Sequence, residues 1–176
     1  MKRFFMWLSP KSNSFKEAIA PKVIEPALLK AKGMELRKQG KTVATLNGSF
    51  DLMHAGHLEI IYQASCQADV LMVALNTDSS IQRYKSPLRP IIPLEYRIEM
   101  MAALAMVDYV TWFDETDPCK VLSLIQPNVH VNGAEYTEKC IEAETVRSYG
   151  GRLHLVPLIP GLSTSKIIKK IVTTCV

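Results

Sequence analysis

At 176 residues the chain is long enough to bury a core of its own and short enough to make one domain. Apolar residues are 48% of it and charged residues 22%, a balance that excludes a disordered chain, and no apolar run approaches the roughly 20 residues that span a bilayer. The net charge of +4 suits a phosphate-rich ligand but is too small and too dispersed to argue for a nucleic-acid groove.

The first residues, "MKRFFMWLSPKSNSFKEAIA", imitate an export leader. However, their apolar patch runs only from Phe4 to Leu8 before Pro10 and Lys11 interrupt it, so they read as an arm. Residues 1–40 are expected to be that arm plus a helix over "VIEPALLKAKGMELRKQGK" that stops at Gly40, and residues 41–176 the globular domain. Beyond this the chain alternates. "TVATLN" predicts a buried strand, and 56–68 a helix with Leu58, Ile61 and Tyr62 on one side. "VLMVALN" predicts a second strand, 76–90 a long functional loop, and 93–105 a helix opening at Pro93. "YVTWF", "NVHVNG" and "RLHLVPL" complete five strands, with helices from near Pro118, up to Gly150-Gly151, and over "STSKIIKKIV" with Ser163 as N-cap. Such alternation builds βαβ units, so the expected fold is a Rossmann-like, doubly wound five-stranded parallel sheet in a three-layer α/β/α sandwich. Ligands of such sheets sit beyond the carboxyl ends of the strands, where the unusual residues of this chain cluster.

Foremost among these is "TLNGSFDLMHAGHLEII", where a strand hands over to a helix and supplies His54 and His57, three residues apart. Gly48 allows a tight turn, the helix start offers free N–H groups to an anion, and the spacing puts both imidazoles on one face. Gly56 leaves room for a bulky group against that start. A metal reading lacks a third ligand at suitable spacing. His130 and His154 read as ordinary strand residues. In the loop, Lys85 and Arg89 flank Pro87, with Arg97 on the next helix, a basic set suited to phosphate. In "PGLSTSK", Ser163, Thr164 and Ser165 follow Gly161 at a helix start and form a second candidate phosphate cradle. P-loop and dinucleotide fingerprints are lacking. The four cysteines are scattered without a C-x-x-C pair, which points to reduced thiols in the cytoplasm.

"GSFDLMHAGH" resembles the signature of the H-x-G-H nucleotidyltransferases, and "LSTSKI", about 110 residues on, their C-terminal signature. The resemblance spans about residues 36–172 and is strongest to the heptose-1-phosphate adenylyltransferases, in the free-standing rather than the kinase-fused form. It implies transfer of AMP from ATP to D-glycero-β-D-manno-heptose 1-phosphate, giving ADP-heptose for the lipopolysaccharide core, with Mg2+ on the nucleotide phosphates and no protein side chain on the metal. It also implies His54, His57 and Lys85 as the catalytic set. Nucleotide contacts would come from Ser49 and Phe50 through their backbone, Gly56, Arg97, Gly133, Glu135 and Ser163 to Ser165; Asp51, Asp78 and Arg89 would face the sugar phosphate. The chain departs from the pattern at "NGAEY", at Ser165 where threonine is usual, and at Leu158, where glycerol-3-phosphate cytidylyltransferases carry arginine. Partners are expected to be ATP and a sugar phosphate, with no nucleic acid and no membrane. A homodimer is expected, for which the arm residues Phe4, Phe5, Met6 and Trp7 are candidates. Two other readings stay open: a cytidylyltransferase or other adenylyltransferase acting on a phosphorylated alcohol, and a nucleotide-binding sensor without turnover.

Overall fold

In the computed structural model, the described residues are 14–134, 140–157 and 161–175. Five strands, β1 (Val43–Gly48), β2 (Val70–Asn76), β3 (Tyr109–Phe113), β4 (Val129–Gly133) and β5 (Arg152–Val156), pair in parallel in the order β3-β2-β1-β4-β5. The chain winds outward from β1 to β3, then crosses back to β4 and β5. The switch point therefore lies between β1 and β4, as expected of a doubly wound sheet.

The apolar runs make this arrangement because both faces of the sheet are covered. Along β2, Leu71, Val73 and Leu75 enter one core with Ile61, Ala64, Met101 and Ala102, while Val70, Met72 and Ala74 enter the other with Leu29, Leu36, Val121 and Ile125. The period of two thus splits one strand between two cores. Helices α3 (Ala55–Ser65) and α5 (Leu94–Ala102) cover the first face, and α2 (Leu29–Lys38) and α6 (Cys119–Ile125) the second. Among the described residues, the remaining α-helices are α1 (Phe15–Ile19), α4 (Asp78–Tyr84), α7 (Ile141–Ser148) and α8 (Thr164–Cys175). Where α2 crosses α6, a Cβ on Gly33 would lie 2.7 Å from the Ile125 carbonyl oxygen, so glycine permits the close packing. Gly40, at φ +68, ends α2 where a stop was expected. The segment before α2 runs along β3: Ile24 N–H donates to the Val110 carbonyl at 2.8 Å, and Lys22 Nζ donates to the Leu104 carbonyl at 2.9 Å. Among the described residues, no helix is long and apolar enough to cross a membrane.

Two sequence expectations fail. Residues 76–90 are not one long loop: Thr77 accepts the Ser80 N–H and caps α4, and a polar helix with little apolar periodicity escapes a pattern search. On α3, Ile61 is buried with Ala64 and Ser65, whereas Leu58 and Tyr62 are 40% and 54% exposed. Small residues meet the sheet there, and counting large apolar residues picks the wrong face.

Candidate active site

A cavity of about 660 Å³ opens at the carboxyl end of the sheet. Its walls come from the ends of β1, β2 and β4, the start of α3, the end of α4, the segment after β3, and the start of α8. It lies over the switch point, and its size suits a small-molecule ligand.

After β1 the chain turns at Ser49 and Phe50. Phe50 adopts φ +46, a conformation that disfavours a side chain by about 1–2 kcal/mol, and its ring is buried in the core. That ring packs against His57, with centroids 5.2 Å apart, and so supports the imidazole from below. His54 is the N-cap residue of α3 in extended backbone, its side chain makes no capping hydrogen bond, and the positive end of the helix stays open to an anion.

The two imidazoles stack, as their spacing predicts: ring centroids are 3.9 Å apart and the planes 19° from parallel. A Cβ on Gly56 would lie 3.0 Å from Cε1 and Nδ1 of His54. The group that needs the missing side chain is therefore the His54 ring itself. Burial, followed by the proximity of His54 and Lys85, pushes His57 down to about 4; burial also lowers His54. Near neutral pH both rings are uncharged, and the buried Nδ1 atoms of both have no protein partner. Two neutral N–H donors on one face can bind phosphate oxygens without an accumulated positive charge.

Lys85, the C-cap of α4, reaches the same wall, its Nζ donating to Ser49 Oγ at 2.8 Å. Burial first, then Arg89, lowers its pKa below the ordinary lysine value. Ser49 thus contributes its hydroxyl as well as its expected backbone. Asp51 is 2% exposed and accepts from the Ile91 and Ile92 N–H groups, each at 2.8 Å, and from Arg89 Nε at 2.7 Å. Burial alone would raise this carboxyl, but those N–H groups and Arg89 hold it below its ordinary value. The Asp51–Arg89 pair therefore anchors the segment after α4. Asp51 borders the cavity.

Arg97 is a correction to the expected nucleotide contact. It is 1% exposed and donates to the carbonyls of Ile92, Ser49 and Asn76 at 2.9, 2.7 and 2.8 Å, and to Asp78 at 2.6 Å. It clips the ends of β1 and β2 to the start of α4 and does not line the cavity. Asp78, expected to face the sugar phosphate, is instead the acceptor in that clip.

Across the cavity, Ser163 caps α8 by accepting the Lys166 N–H at 3.3 Å, and Ser163, Thr164 and Ser165 all line the wall. Gly133 closes the β4 side. Glu135, Tyr136, Leu158 and the arm residues Phe4 to Trp7 lie outside the described residues. Sequence reasoning missed Asn47, Asn76, Tyr84, Asp117, Cys140 and Glu142 on the wall. A signal existed for two of them: β1 and β2 each carry an asparagine at or next to the end of an otherwise apolar run, and in parallel sheets that end faces the ligand.

Comparison with known proteins agrees with this geometry. The cytidylyltransferase-like family profile matches residues 45–170. "Bifunctional protein HldE" of Syntrophotalea carbinolica is 43% identical over 136 residues, 77% of this chain and 28% of the relative. "Bifunctional protein HldE" of Geobacter sulfurreducens gives the same identity and coverage. The chain thus spans little more than a quarter of the length of these relatives. Among solved structures, the lipopolysaccharide core biosynthesis protein of Thermoplasma volcanium has a TM-score of 0.55 at 24% identity, covering 68% of this chain and 98% of that one. Pantoate-beta-alanine ligase of Francisella tularensis, in complex with β,γ-ATP and β-alanine, has a TM-score of 0.55 at 14% identity, covering 86% and 79%. These two likenesses concern the fold. By its profile match and its paired signatures, this chain belongs to the cytidylyltransferase-like family of nucleotidyltransferases.

Proposed function

We propose that this cavity transfers AMP from ATP to a sugar 1-phosphate, D-glycero-β-D-manno-heptose 1-phosphate, releasing pyrophosphate and making ADP-heptose for lipopolysaccharide core synthesis. The observation that carries the reaction type is the stacked His54–His57 pair and Lys85 converging at an open helix start on the switch-point cavity. The heptose assignment rests on the signature resemblance and on the relatives at 43% identity.

A phosphate oxygen of the sugar attacks the α-phosphorus in line. One P–O bond forms, the bond to the β-phosphate breaks, and pyrophosphate leaves with its electron pair. The attacking oxygen is already ionised near neutral pH, so positioning and electrostatics do the work without an enzyme nucleophile. His54 and His57 would donate to the triphosphate, His57 at the reacting α-phosphate, and the Lys85 ammonium would offset charge on the transferred or attacking phosphate. The α8 start, with Ser163, Thr164 and Ser165, would hold the outer phosphates, and Gly133 and Glu135 would lie beside base and ribose. Asp51 would border the sugar phosphate, and Arg89, paired with it from outside the cavity wall, would hold that border in place. Donors of this kind fit a phosphate-bound magnesium: the ion would arrive on the triphosphate, which these residues hold, and would neutralise the departing pyrophosphate. The cytoplasm is the proposed place of work and a homodimer the proposed assembly, for which the exposed Ile171 and Val172 of α8 offer an apolar face.

The test is pyrophosphate release from ATP or CTP with Mg2+ and a panel of sugar phosphates. Release with ATP and heptose 1-phosphate supports the proposal. Strict CTP dependence moves it to a cytidylyltransferase, and binding without release to a sensor. His57→Ala should lower turnover about a hundredfold or more while the fold survives; wild-type turnover in that variant would sink the assignment.

A further inference from the structure

We propose that Tyr84 is a positioning residue for Lys85, acting through the hydroxyl of Ser49. The proposal rests on the reading of the cavity as a triphosphate site. Tyr84 is the last residue of α4 and Lys85 its C-cap, and both line the cavity. The Tyr84 hydroxyl lies 2.8 Å from Ser49 Oγ, Lys85 Nζ lies 2.8 Å from the same oxygen, and the ammonium sits 5.5 Å from the centre of the Tyr84 ring.

Proton counting fixes one direction in this trio. An ammonium only donates, so Ser49 Oγ accepts from Lys85. The single hydrogen of Ser49 must then point elsewhere, and Ser49 Oγ either donates it to the Tyr84 oxygen or accepts the Tyr84 hydrogen on its second lone pair. The Tyr84 hydroxyl thereby fixes the Ser49 rotor with a lone pair towards Lys85. Without it the rotor is free and the ammonium loses its acceptor for part of the time. The competing position is beside Asp51, whose negative charge already acts on Lys85. Asp51 is otherwise occupied by Arg89 and the Ile91 and Ile92 N–H groups, so an ammonium drawn there would disturb both the anchor and the cavity wall. Tyr84 and Ser49 together hold the charge at the cavity, and the ring supplies a favourable face beneath it.

The experiment is a double-mutant cycle with Tyr84→Phe, Ser49→Ala and the double variant, in the full chain. One readout is the rate of Lys85 acetylation by acetic anhydride at pH 8, measured by peptide mass spectrometry against exposed Lys16 and Lys120. The other is kcat for pyrophosphate release with ATP and heptose 1-phosphate. Tyr84→Phe keeps the ring and is expected to raise Lys85 acetylation about threefold to tenfold, the range of one net hydrogen bond, and to lower kcat by a similar factor. Ser49→Ala is expected to do at least as much, and the double variant no more than Ser49→Ala alone. An unchanged Lys85 rate in Tyr84→Phe overturns the proposal, as do effects that multiply in the double variant. If the wild type releases no pyrophosphate, the transferase reading fails, and acetylation still decides the role of Tyr84.

Discussion

At the scale of single residues, the site is a problem of keeping phosphate donors in place without piling up charge. His54 and His57 solve it by stacking as neutral rings, held from below by Phe50 and given room by Gly56. Gly56→Ala tests this. The new methyl would sit 3.0 Å from the His54 ring and displace it. Turnover should drop about tenfold or more, the scale of a misplaced catalytic donor. The melting temperature should not drop, because alanine favours a helix more than glycine does. A melting temperature lowered in parallel with turnover would mean that Gly56 serves the helix rather than the imidazole.

At the scale of elements, Arg97 joins pieces that come from distant parts of the sequence. Its guanidinium meets the ends of β1 and β2, the start of α4 and the segment before α5, and these together carry Ser49, Asn76 and Lys85 to the cavity. A lysine has one point charge and cannot reproduce this planar fork. Arg97→Lys should therefore lose on the order of 3 kcal/mol of stability in urea unfolding, from buried carbonyls and Asp78 left under-paired. A variant that raised KM for ATP at unchanged stability would instead return Arg97 to nucleotide contact. The arginine was legible in the sequence as a member of a basic cluster, but its direction was not. Charge says what a side chain can bind, and only packing decides whether protein or ligand supplies the partner.

At the scale of the whole molecule, the buried histidines tie stability to pH. His130 is fully buried at the centre of the sheet, bonded to Thr45 Oγ1 at 2.8 Å, and burial pushes it down to about 4 from 6.5. His57 is lowered to about the same value. A folded pKa below the unfolded one means that the unfolded chain takes up protons first as pH falls. The stabilisation is thus complete above about 6.5 and is lost as pH falls through 4. For His130 alone the loss is on the order of 3 kcal/mol. Urea unfolding at pH 7 and pH 4.5 should show the decline, and His130→Asn should make it shallower. An equal decline in both proteins would place the pH dependence elsewhere.

The alternation of apolar runs with helical segments determined the sheet, its parallel pairing and its doubly wound class, because local periodicity and right-handed crossovers leave few alternatives. The spacing of His54 and His57 determined that their rings share a face, since a helix turn brings residues three apart together. Tertiary structure alone decided which side of α3 meets the sheet, that residues 78–84 coil into a helix, that Arg97 turns inward, and that Tyr84, Ser49 and Lys85 share one oxygen. These features depend on residues distant in the chain: the Ser49 hydroxyl has no local signature, and Tyr84 joins it across 35 positions. Periodicity is a local property of the sequence, while the partner of a polar group is a property of the packed molecule.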